Sequence, residues 1–136
     1  MLSPNAETIR LFLHVTAASV WVGGQITLAG MVPAMRRSHP ESTSALARAF
    51  SRVAWPAFGL AVLTGMWSLM AEDITSKSSA YQATILLKLA VAILSGVFAA
   101  VHSMGKSKAA LAIGGALGAL CAIGAMFLGI LLNTAG

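Results

Sequence analysis

Four apolar runs, each long enough to cross a bilayer, constrain this chain of 136 residues more than any other feature. They cover about residues 8–35, 53–70, 81–102 and 109–132, and the charged residues gather at their ends. A transmembrane helix needs about 20 mostly apolar residues at a rise of roughly 1.5 Å each. None of the runs alternates with the period of two that a strand would show. Composition points the same way, with 57% of residues hydrophobic and 10% charged, against about 25% charged in a typical soluble domain. A soluble domain of this size has too much surface for its volume to hide so much apolar material. The sequence therefore predicts one all-α transmembrane domain over residues 1–136. It is a polytopic membrane protein, an antiparallel four-transmembrane-helix bundle with the lipid bilayer as its main partner.

The first run is longer than a signal-peptide core, has a mixed charged head (Glu7, Arg10) and is followed by Arg36 and Arg37, so it reads as a span. After the turn signal Ser38-His39-Pro40, residues 42–52 form an amphipathic stretch. It is either a helix at headgroup level or an extension of the second span. Pro56 is then tolerated near a helix start, where its missing donor would be unpaired. Six of the nine basic residues (Arg36, Arg37, Arg48, Arg52, Lys106, Lys108) lie in the first and third loops. Basic loops face the cytoplasm, so both termini are expected outside, in a bacterial cytoplasmic membrane. The net charge of +5 belongs to this topology and forms no aromatic-basic face, which argues against nucleic acid. With one cysteine, Cys121, no internal disulfide can form.

Ionisable groups inside spans are the first candidates for function, because lipid makes them expensive. His14 and Lys88 each lie about two turns below the outer end of their spans, by a rise of roughly 1.5 Å per residue. The plain alternatives are a hydrogen-bonded packing histidine and a snorkelling lysine. Met66 and Met126 fall near the same outer height. Imidazole and thioether together suit Cu(I), although methionine is also a common gap-filler. A weaker inner layer holds His102 and Met35, with Met31 and Met104 nearby. Gly114, Gly118 and Ala122 recur at every fourth position of the last span, as do Ala125 and Gly129. Such a face packs within the chain or, as the alternative, against a second copy or a larger membrane complex. Zinc-type Cys/His spacing, a phosphate-binding glycine loop and a nucleophile elbow are missing, so the balance leans away from an enzyme.

The order of several short motifs resembles the copper-resistance D domain family. Leu13-His14-Val15 with Trp21-Val22-Gly23-Gly24 is similar to its first helix. The segment Arg48-Ala49-Phe50-Ser51-Arg52 is similar to the lead-in to its second helix, and Leu63-Thr64-Gly65 to that helix's close. Tyr81 with Leu86-Leu87-Lys88-Leu89 is similar to the opening of its third. The resemblance spans about residues 10–103. It implies a helical inner-membrane domain linked to copper uptake or copper tolerance, with His14 and Lys88 as characteristic polar positions, and the leading expectation is a protein that binds Cu(I) or passes it across the membrane. His14, Pro56 and Lys88 are also similar to a related haem-associated protoporphyrinogen oxidase branch. That branch implies haem b as the alternative cofactor, held by His14 and Lys88. A third expectation is a non-catalytic accessory subunit of a larger membrane complex.

Overall fold

The computed structural model describes residues 2–135. They form four long helices and no strand: α1 (Ala6–Ser38), α2 (Thr43–Ala71), α3 (Ser79–Met104) and α4 (Lys108–Ala135). Each is long and apolar enough to cross a membrane, so the chain is an all-α, multi-pass membrane protein. Helix is the form that satisfies every backbone donor and acceptor within one segment, which lipid demands. The 33 residues of α1 make about 50 Å of helix, well beyond a hydrocarbon core of about 30 Å.

Polar caps fix where the helices begin. At α1 the Asn5 side chain accepts from the Thr8 backbone N–H at 2.8 Å, and the Thr8 side chain returns a bond to Asn5. Ser78 accepts from the Tyr81 N–H at 3.2 Å, and Ser107 from the Ala110 N–H at 3.1 Å. Such side chains satisfy donors that a helix start leaves over. The amphipathic stretch after the first turn is continuous with the second span, because α2 already begins at Thr43. Pro56 consequently does not mark a helix start. It lies well inside α2, where its missing N–H leaves the Arg52 carbonyl without a helical donor.

The contacts gather into two compact pairs, one ending at Glu72 and the other starting at Asp73. In the first pair, a single 3-10 turn at Pro40–Ser42 reverses the chain. His14 meets Thr64, Trp21 meets Phe58 and Gly24 meets Phe50, so α1 and α2 are antiparallel. Trp21, 5% exposed, is the largest buried group in their seam. Its ring centroid lies 4.5 Å from Phe58 and 5.4 Å from Trp55. The tryptophans at 21 and 55 therefore pack together.

In the second pair, Lys88 meets Gly129, Ser95 meets Gly118 and His102 meets Leu111, so α3 and α4 are antiparallel as well. The Gly114, Gly118 and Ala122 face is buried here against α3. That corrects the alternative in which this face receives a second copy or a larger complex: α3 already covers it. Before α3, Asp73 holds a short 3-10 turn, Ile74–Ser76. The Thr75 hydroxyl, donating at 2.5 Å, and then the Thr75 and Ser76 backbone N–H groups hold the Asp73 carboxyl below its ordinary 3.8. This contribution is present above pH 3.8 and is lost as the pH falls through the lowered value.

The approach of α3 and α4 depends on having no side chain at one point. A Cβ at Gly114 would stand 2.8 Å from the His102 backbone N and 2.9 Å from the Phe98 carbonyl oxygen. A Cβ at Gly23 would meet nothing within 4 Å. Gly114→Ala is expected to destabilise the protein by roughly 1–3 kcal/mol, as overpacking does. Gly23→Ala is expected to be neutral or mildly stabilising. Reversible unfolding in mixed detergent micelles measures both.

Candidate functional site

Three polar side chains inside the helices, those of His14, Ser95 and His102, share one way of being satisfied. In an α-helix each Cα–Cβ bond leans toward the N-terminus, so the side chain at i+4 lies over the carbonyl of residue i. Where that residue is small, the carbonyl's second lone pair is open to a neighbouring helix. The His14 Nδ1 lies 3.0 Å from the Ala61 carbonyl oxygen, with Gly65 four residues on. The His102 Nδ1 lies 2.6 Å from the Leu111 carbonyl oxygen, with Gly115 four residues on. The Ser95 hydroxyl donates to the Gly118 carbonyl at 3.0 Å, with Ala122 four residues on.

His14 is the most elaborated of these. Half-buried in the first pair, its Nδ1 is also 3.0 Å from the Thr64 hydroxyl oxygen. Thr64 is 3% exposed, and its hydroxyl reaches the Leu60 carbonyl at 2.7 Å. A Cβ at Gly65 would touch the His14 Cε1 at 3.4 Å, so alanine fits there and a longer side chain would displace the ring. One turn toward the N-terminus, on the same face of α1, Arg10 is buried and its guanidinium lies 3.8 Å from Glu72. Its Nε has no hydrogen-bond partner.

Met66 does not join His14. It is 52% exposed and lies about 140° round α2 from Ala61, on the face that carries Leu63, Trp67 and Met70. The two residues share a height and not a direction. In the second pair, Lys88 is half-buried, with its ammonium 3.2 Å from where a Gly129 Cβ would stand. Glycine at 129 thus makes room for a cation inside the span. Met126 is half-buried one turn nearer the middle of α4. His102 is exposed near the end of α3, and Met35 is half-buried in the last turn of α1. Among the described residues, no three of His, Cys, Asp or Glu gather as they would around a metal ion.

Two residues of the first pair were not singled out by sequence reasoning. Arg10 counts there as an outer-face charge, although it is 5% exposed. Thr64 enters there as part of a family-like tripeptide, with no role. Its signal was a hydroxyl beside a glycine in an otherwise apolar run, a combination that lets one helix offer a polar group to another.

Comparison of the chain with protein-family models, with curated proteins and with solved structures found no match.

The separate faces of Met66 and His14 give a direct check. Met66→Leu is expected to leave the His14 ring nitrogen chemical shifts unchanged in detergent-solubilised protein. A clear shift would place the thioether against the ring and contradict this geometry.

Proposed function

We propose that this protein handles copper within the membrane, binding or passing Cu(I), with His14 as its nitrogen donor. The observation that carries this reading is the seat of His14. Its Nδ1 is tied to the backbone carbonyl of Ala61 and to Thr64 inside the first helix pair. Ligating histidines typically donate their other ring N–H to a carbonyl or carboxylate, which fixes the ring for the metal. The half-buried setting also strips water from a borderline-soft nitrogen, which favours a soft cation over a strongly hydrated one. The resemblance of residues 10–103 to the copper-resistance D domain family supports the same cargo. The six basic residues of the first and third loops support an orientation with both termini outside a bacterial cytoplasmic membrane.

Haem b is the second reading, because a histidine held through Nδ1 is equally suited to haem iron. His14 would hold the haem iron, which would supply electron transfer. An accessory role without copper or haem remains the non-binding outcome.

The test is metal content and an absorption spectrum on one purified sample. The wild type is expected to bind Cu(I) and to show no Soret band. His14→Ala is expected to lose that copper. Met66→Leu is expected to keep it. Unchanged copper stoichiometry in His14→Ala ends the copper reading, and a Soret band that vanishes in that variant establishes haem instead.

A further inference from the structure

We propose that Met66 and Met70 form a second soft-cation site on α2, walled by the Trp67 indole, at which Cu(I) is captured from solution. The inference rests on the copper reading for which cation the protein meets, and on thioether chemistry alone for the binding. The two methionines stand four residues apart in α2. That spacing puts their Cβ atoms about 5–6 Å apart on one helix face. Leu63, Met66, Trp67, Met70 and Ala71 line a single open depression of about 450 Å³. A methionine side chain is unbranched and turns about three bonds, so both sulfurs can close on one ion.

Neither methionine fills a gap in the helix seam, since Met66 is 52% exposed and Met70 85%. Leucine would meet lipid equally well; sulfur adds a soft donor. Thioether ligands select Cu(I) over harder cations. Trp67 is 44% exposed and flanks the pair, three residues before Met70. An indole face attracts a cation placed over it. A metal site also needs a way in. Here α2 ends at Ala71, and the polar segment from Glu72 follows at once.

Met31 and Met35 have the same spacing near the end of α1 and serve as a comparison. Arg36 and Arg37 follow them directly, whereas Glu72 and Asp73 follow Met70. Guanidinium groups repel a cation and carboxylates attract it, over the roughly 8–10 Å that physiological salt leaves unscreened. Arg10 offsets part of the Glu72 charge. No tryptophan lies within four residues of Met31 or Met35. An ion on two exposed thioethers exchanges readily, as capture requires. It is distinct from the ion at His14, because Met66 and the seat of His14 lie on different faces of α2.

The experiment uses full-length protein in detergent micelles, with carbon-13 in its methionine methyl groups, titrated with Ag(I) as the closed-shell analogue of Cu(I). The Met66 and Met70 methyl signals are expected to move together, before those of Met31, Met35 and Met104. Met66→Leu is expected to weaken the Met70 response about 10-fold or more, and Met70→Leu that of Met66, as loss of a tethered second donor does. Ag(I) is expected to quench emission in the wild type that Trp67→Phe lacks; unchanged emission overturns the place given to Trp67. A Met70 response that survives Met66→Leu at the wild-type concentration, or Met31 and Met35 responding equally early, overturns the site. Paired methyl responses in a protein that keeps no copper after dialysis uphold the site and overturn the copper reading. Copper kept through His14 while the Met66 and Met70 methyls stay silent overturns the site alone.

Discussion

A backbone carbonyl that already accepts one helical hydrogen bond can accept a second, provided nothing covers it. Inside a bilayer, water offers no alternative partner to a polar side chain. The histidines at 14 and 102 and Ser95 are held by this second acceptance, each at a point where the residue four positions on is glycine or alanine. Small residues in these helices thus do two things together. They let backbones approach, as at Gly114, and they expose acceptors for the polar side chains that the approach brings near. In the α3–α4 pair both effects fall on one face, since Gly114 and Gly118 support the packing while Gly118 also receives Ser95.

This dual use explains why the two pairs differ in character. The first pair carries a polar run from the N-terminal end of α1 onward: Glu72, Arg10, Ser68, then His14 with Thr64. Below it the seam becomes aromatic, with Trp21, Trp55 and Phe58. His14 and Thr64 thus lie between the Arg10–Glu72 pair and the cluster of rings. The second pair is closed along its length by small residues, with Lys88 accommodated over Gly129. Burying the ammonium and the imidazole on faces that meet a partner helix costs far less than turning either to lipid.

The sequence made heights legible and left directions open. Counting residues from the span ends placed His14 and Met66 at similar depth, and the spans themselves lie within the observed helices. Which way a residue faces is usually read from an apolar stripe opposing a polar one. In lipid, both the packed and the exposed faces are apolar, so that contrast is weak. Leu63 and Met66 are exposed on α2 while Ala54 is buried, yet all are apolar. Met66 was therefore grouped with His14 by height, and its direction separates them. The polar and small residues do carry directional information. Gly114, Gly118 and Ala122 marked a packing face correctly, although α3 and not another chain occupies it. Thr64 beside Gly65 held the same kind of signal for His14.

The central claim is that an imidazole nitrogen, presented by its seat on α2, enters the coordination shell of the cargo. X-ray absorption spectroscopy of the Cu(I)-loaded wild-type protein tests it most directly. The account predicts imidazole scattering from the copper shell, with nitrogen and sulfur or nitrogen alone as nearest neighbours. A shell made of sulfur alone would contradict it.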